Sequence, residues 1–310
     1  MANYTNLQWT DKLFIAKEIA AGLLFLHNNI IIHRDLNLRL NKLGSEGGNA
    51  LASALGKNSS LTSLNLYSNN LGSAGVKALA NALCKNSTLT SLNLGYNNHE
   101  SEGVNALVDA LCVNSGLKDL NLKNNNIGSE DGKALADALC KNTMLTSLDL
   151  LDNDLESEGG KALADALCKN FTLTSLVLGY NNLKSEGIKS FADALCKNST
   201  LKDLDLSSNK LGIEEGKALS VALCKNSSLI SLNIYNNNLG IEGEEVLADA
   251  LCKNFTLTSL NLDDCKIGSQ EGKVLADAHY KNFTLTSLNV QKNNIGFKLQ
   301  SNNPYLKIIQ

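Results

Sequence analysis

Apolar residues in the stretch Leu61–Thr88, LTSLNLYSNNLGSAGVKALANALCKNST, fall in two successive rhythms. Leu64 and Leu66 flank the polar Asn65, the period-of-two spacing of a strand, and Leu61 leads into it. Ala78, Leu79, Ala82 and Leu83 then recur at i, i+1, i+4 and i+5, a helix stripe in which alanine permits close approach. Asn69 and Leu71 stand between the two rhythms, where the chain turns inward. The pattern predicts a strand, a turn, a helix and a return.

The whole unit returns every 28 residues without an insertion. Its turn slot falls at Asn41, Asn69, Asn97, Asn125, Asn153, Asn181, Asn209, Asn237, Cys265 and Asn293. A fixed period of this length predicts a stacked solenoid. A buried column of asparagine amides would satisfy backbone donors and acceptors at the turn, with Cys265 a weaker substitute. Serine in Ser157-Glu158-Gly159 and Ser185-Glu186-Gly187 is read as a helix N-cap, with glutamate suiting the positive helix end. Lys85-Asn86 places a cation at the helix C-terminus, followed by a residue that tolerates the left-handed region.

The motif LxxLxLxxNxL followed by a helix, in ten in-phase copies, resembles the leucine-rich repeat of ribonuclease-inhibitor type, and especially the repeats of NOD-like receptors. The resemblance implies an α/β horseshoe, with a parallel sheet on the concave face and helices on the convex face. Elementary spacing gives the same curve, because strands stack at about 4.8 Å and helices at about 8–10 Å. The array is expected over residues 33–298, a distinct segment over 1–32 and a non-repeating tail over 299–310. The uninterrupted period favours one domain.

Residues 1–32 do not carry the repeat. Their helical stripe ends in Leu26-His27, followed by Ile30–Ile32 and then His33-Arg34-Asp35-Leu36. This resembles the catalytic-loop region of a protein kinase, in which the aspartate is the catalytic base and an asparagine five residues later binds a metal ion. Asp35 matches the base, but Leu40 stands at the metal-ligand position and no D-F-G follows. His33, Arg34 and Asp35 are therefore expected to be inactive, with no ATP bound, and the segment is expected to cap the solenoid core. The alternative is a remnant or fragment of a protein kinase fused to the repeats.

Composition narrows the remaining classes. A net charge of −3 gives no reason to expect nucleic acid. The sequence shows no apolar run long enough to span a membrane and no secretory signal, so no membrane partner and a cytoplasmic setting are expected. Seven of the eight cysteines share one helix-end slot, about one helix spacing apart and beyond the reach of a disulfide. They are read as small buried thiols in a reducing compartment. No metal site, cofactor or catalytic constellation is expected.

Function is placed on the strands. Side chains flanking Leu64 and Leu66 point away from the core, so Tyr67 and its equivalents face a partner. The variable positions there are the candidate protein-binding residues: Tyr67, Tyr96, Lys123, Asp149, Asp152, Tyr180, Asp205, Tyr235, Asp263 and Asp264. Tyrosines and charges make good interface anchors. The expected role is a protein-binding scaffold or sensor without catalytic activity.

Overall fold

A computed structural model describes residue 14 and residues 17–22, 34–301 and 303–310, the side chains of 278–281 excepted. Most of the kinase-like segment, His33 included, lies outside the described residues. The chain forms two compact units, Met1–Asn153 and Asp154–Gln310.

The first unit alternates strands and helices in strict phase. Strands β1 (Asp35–Asn37), β2 (Ser63–Asn65), β3 (Ser91–Asn93), β4 (Asp119–Asn121) and β5 (Ser147–Asp149) pair in parallel and in chain order. Leu36, Leu64, Leu92, Leu120 and Leu148 stand in register. Between them run helices α1 (Gly44–Leu55), α2 (Gly72–Leu83), α3 (Glu100–Val113) and α4 (Ser129–Leu139). The second unit repeats the scheme. Helices α5 (Glu156–Leu167), α6 (Lys184–Leu195), α7 (Ile213–Lys225), α8 (Gly240–Lys253) and α9 (Ser269–Lys281) alternate with strands β6 (Ser175–Val177), β7 (Asp203–Asp205), β8 (Ser231–Asn233), β9 (Ser259–Asn261) and β10 (Ser287–Asn289). A last strand, β11 (Lys307–Ile309), is built from the non-repeating tail and pairs in parallel with β10. The fold is a leucine-rich-repeat solenoid of parallel strands and helices.

The core lies between sheet and helices and is made of the leucines and alanines that set the two rhythms. Leu61, Leu64, Leu66, Leu71, Leu79 and Leu83 are all buried, as are those of their equivalents in later repeats whose side chains are described. The turn asparagines form the expected ladder. Asn97 Nδ2 donates to the carbonyls of Leu66, Leu94 and Gly95 at 2.9, 3.0 and 3.1 Å. Its Oδ1 accepts the backbone N–H of Asn69 at 2.9 Å and of Leu71 at 3.3 Å. Each side chain thus ties its own repeat to the preceding one. The residues on either side enter the left-handed region, at φ 55° for both Ser68 and Asn70, which suits asparagine, serine and glycine.

Three local expectations are corrected. Ser157 and Ser185 lie inside their helices and do not cap them; the N-caps are Leu155 and Leu183, without a side-chain hydrogen bond. The chain enters these two helices through a buried leucine, and serine in this slot instead ties repeats together. Ser101 Oγ donates to Asp131 Oδ2 at 3.1 Å, and Ser185 Oγ to Glu215 Oε1. The seven helix-end thiols are exposed or half-buried, because the slot directly follows the last buried leucine at the outer helix end; only Cys265 is buried. Finally, Asn86 does more than end a helix. It belongs to a second ladder, donating to the carbonyls of Leu55 and Asn58 at 2.9 and 2.8 Å and accepting the N–H of Leu89 at 2.8 Å.

Candidate protein-binding site on the open sheet face

Alternation along each strand buries Leu64 and Leu66 and leaves Ser63, Asn65 and Tyr67 half-buried on the face away from the helices. The near-constant Asn65 column has a structural reason: its Oδ1 accepts the N–H two residues on, 3.0 Å from Tyr67 and again 3.0 Å for Asn93 and Gly95. This closes the strand in an Asx turn wherever the column holds Asn or Asp, Val177 being the exception. In those repeats the next position is aimed in the same way.

In the first unit that position gathers an aromatic and cationic group. The Arg39 guanidinium lies 5.5 Å from the Tyr67 ring centroid. The Tyr67 and Tyr96 rings meet at 5.6 Å with a tilt of 48°. Gly95 makes room for them, since a Cβ there would stand 3.0 Å from both the Tyr67 ring and Asn121 Oδ1. Tyr96 is held in the left-handed region at φ 61° and remains 49% exposed. Beside it opens a depression of about 340 Å³ lined by Asn70, Tyr96, Asn98, Asn124 and Asn126. Lys123 is half-buried in the same column.

In the second unit Lys292 Nζ stands 5.3 Å from the Tyr235 ring centroid and 3.4 Å from Asp263 Oδ2. Asp263, and then Tyr235, hold the lysine above its ordinary pKa. A hydrogen bond with Tyr180 raises the Tyr235 phenol. Tyr180 is 45% exposed, and Asp264 lies half-buried near this group.

The acidic candidates divide. Asp149 and Asp205 take the structural place of the Asn65 column: their Oδ1 atoms accept the N–H of Leu151 at 2.9 Å and of Ser207 at 2.8 Å. Their Oδ2 atoms accept amide donors from Asn121 at 2.6 Å and Asn233 at 2.7 Å. Both are occupied in holding the strand ends. Asp152 is exposed and accepts from Asn124 Nδ2. The candidate list missed Arg39 and Lys292. The signal was present, for Arg39 shares the slot of Tyr67 and Lys292 that of Tyr96 and Tyr180.

Of the kinase-like motif, Arg34 and Asp35 are exposed, and Asp35 stands in β1 opposite Ser63. Leu40 is exposed at φ 63°. Among the described residues no group of three or more His, Cys, Asp or Glu side chains is placed to hold a metal ion.

The model of the Leucine Rich repeat matches residues 34–52, 57–80, 85–108, 113–136, 141–164, 169–192, 197–220, 253–276 and 281–296. The chain belongs to the leucine-rich repeat family. No curated protein matches it. Among solved structures, this leucine-rich repeat chain is similar to the leucine-rich repeat-containing protein LegL7 of Legionella pneumophila. The two are 27% identical with a TM-score of 0.57, over 84% of this chain and 85% of that one. It also resembles a chain of the yeast Rad7 and Elc1 complex, at 17% identity and TM-score 0.44 over 97% and 92% of the two chains. Leiomodin-1 actin-binding site 2 matches 42% of this chain and 76% of its own, with 22% identity and a TM-score of 0.38.

Proposed function

We propose that the protein is a non-catalytic scaffold or sensor that binds a protein partner on the open, concave sheet face. The observation that carries this reading is the pairing of tyrosine with a cation on that face in each unit: Arg39 with Tyr67 and Tyr96, and Lys292 with Tyr235 and Tyr180. Tyrosine and arginine concentrate binding energy at interfaces, and rigid rings on a ladder-held turn lose little conformational entropy on binding. The repeat is of the ribonuclease-inhibitor type, with a three-residue strand and helices of 11 to 14 residues per turn of the solenoid. Residues 1–32 act as its N-terminal cap, a reading supported by the packing of Ala20 on Ala54, beside Ile19, Leu36 and Ala50. The cytoplasmic setting rests on the eight free thiols. No helix among the described residues is long and apolar enough to cross a membrane.

The test compares two variants by pull-down with quantitative mass spectrometry. One carries Tyr67→Ala, Tyr96→Ala, Tyr180→Ala and Tyr235→Ala; the other changes Lys161, Lys189 and Lys217 on the outer helices to alanine. Both are expected to keep the wild-type circular dichroism spectrum, and only the tyrosine variant is expected to lose the recovered partners. Loss by the lysine variant alone would move recognition to the helical side.

A further inference from the structure

The loops that return each helix to the next strand carry a feature the sheet face does not explain. In the second unit they read Cys168-Lys169-Asn170-Phe171-Thr172, Cys196-Lys197-Asn198-Ser199-Thr200, Cys224-Lys225-Asn226-Ser227-Ser228 and Cys252-Lys253-Asn254-Phe255-Thr256, with Asn282-Phe283-Thr284 after α9. None of these stretches contains an acidic residue, although the whole chain has a net charge of −3. Lys169, Lys197, Lys225 and Lys253 are exposed, and none joins an ion pair among the described residues. The acids nearest in sequence, Asp165, Asp193 and Asp249, lie one turn back on the exposed sides of their helices.

Phenylalanine is out of place here. Phe171, Phe255 and Phe283 are 60%, 69% and 68% exposed, in a slot filled by exposed serine at Ser199 and Ser227. Nothing in the core calls for a ring at this position. The second asparagine ladder holds the loops rigidly: Asn226 donates to the carbonyls of Leu195 and Asn198 at 2.8 and 3.1 Å, and Asn254 to that of Leu223 at 2.8 Å. Because the slot recurs in phase, the rings and ammonium groups line one edge of the unit.

We propose that this edge is a docking surface for an anionic lipid membrane, with Phe171, Phe255 and Phe283 entering the headgroup–acyl boundary and Lys169, Lys197, Lys225 and Lys253 facing acidic headgroups. Charge complementarity selects an anionic occupant. The rings select a bilayer over an acidic protein: Phe171 is separated from Phe255 by two serine-bearing repeats. Rings this scattered need an apolar medium that is continuous and has no register of its own. The combination of basic side chains and aromatic tips is that of interfacial binding, which is separate from spanning. The early expectation of no membrane partner rested only on the lack of a spanning segment and a leader.

The experiment is sedimentation of the full chain with phosphatidylcholine vesicles, with and without phosphatidylserine. Binding is expected only with phosphatidylserine and is expected to weaken with salt. One variant carries Phe171→Ser, Phe255→Ser and Phe283→Ser, each placing the residue that other repeats use in that slot. A second changes Lys169, Lys197, Lys225 and Lys253 to glutamine. A control changes Lys161, Lys189, Lys266 and Lys273 to glutamine. Each lysine near an anionic surface is worth about fivefold in partitioning, and burying a phenylalanine ring is worth at least as much, so the rim variants should each lose at least about tenfold and the control clearly less. Circular dichroism checks that all three are folded. Absence of phosphatidylserine-dependent binding would overturn the proposal, as would rim variants that bind like wild type or a control that falls as far. Binding of polyglutamate without binding of vesicles would assign the edge to an acidic protein and overturn the lipid reading.

Discussion

Replacing Asn97 with alanine tests the asparagine ladder where its geometry is complete. Asn97 is buried, and its amide makes five hydrogen bonds to backbone groups. The three carbonyls it serves keep other donors: Leu66 retains Asn69 Nδ2 at 2.9 Å, Leu94 retains Asn125 Nδ2 at 3.1 Å and Gly95 retains the Ser68 N–H at 2.8 Å. The N–H groups of Asn69 and Leu71 have no such reserve, since both point at Asn97 Oδ1. Stranding a buried donor costs about 1–3 kcal/mol, so two give a loss of roughly 2–6 kcal/mol. Urea unfolding followed by circular dichroism measures it, with the exposed Lys85→Gln as a control expected to stay within about 0.5 kcal/mol. Hydrogen exchange at Asn69 and Leu71 gives a local readout. If Asn97→Ala matches the control in both assays, the ladder is decoration and the account of the turns is wrong.

Three further predictions concern groups that depart from the pattern. His99 takes a core slot held elsewhere by leucine or isoleucine, and neither ring nitrogen has a partner. Burial lowers its pKa from 6.5 to about 4, so the unfolded chain takes up its proton first. Stability is then full above about pH 6.5 and falls by about 3 kcal/mol as pH drops toward 4; His99→Leu should remove that loss in thermal melts across the range. Glu244 lies buried in α8, with Oε2 unpaired and its pKa raised from 4.5 to about 8 by burial and then by Glu271. Here the folded chain holds its proton longer, so stability is full below about pH 4.5 and falls by roughly 3–5 kcal/mol as pH rises to 8. Glu244→Val, the residue of Val76 and Val104 at the same slot, should flatten that limb of the melting profile. Isothermal titration with Mg-ATP should give no saturable heat; binding that is lost on Asp35→Ala would revive the kinase reading.

The fold was legible because two signals repeat in phase. Leu64 and Leu66 define the strand and Leu79 and Leu83 the helix, and register follows from the constant spacing. The role of Asn97 was legible for the same reason, since one amide type at every turn implies one backbone geometry. Asn86 was equally regular, yet its ladder was missed: a helix-ending asparagine already had a local explanation, and its partners Leu55 and Asn58 lie in the preceding repeat. The exposure of Cys84 was misread for a related reason, because an apolar residue beside Leu83 continues the stripe in sequence while lying outside it in space. The Tyr67–Tyr96 contact was only half legible. Alternation aims Tyr67 outward, but the meeting of the rings depends on the stacking of two repeats and on the missing side chain of Gly95.

The asparagine ladder has a direction. Asn41 N–H is accepted by Asn69, Asn69 by Asn97, Asn97 by Asn125 and Asn125 by Asn153, and in the second unit Cys265 N–H is accepted by Asn293. Each repeat therefore leaves a donor open until its successor arrives. On the ribosome, where the N-terminal repeats emerge first, every new turn is provisional until another 28 residues have left the exit tunnel. Folding in the cell would then proceed as a zipper whose growing end is always one tooth short, and a nascent chain stalled mid-array would expose its weakness at that one advancing edge.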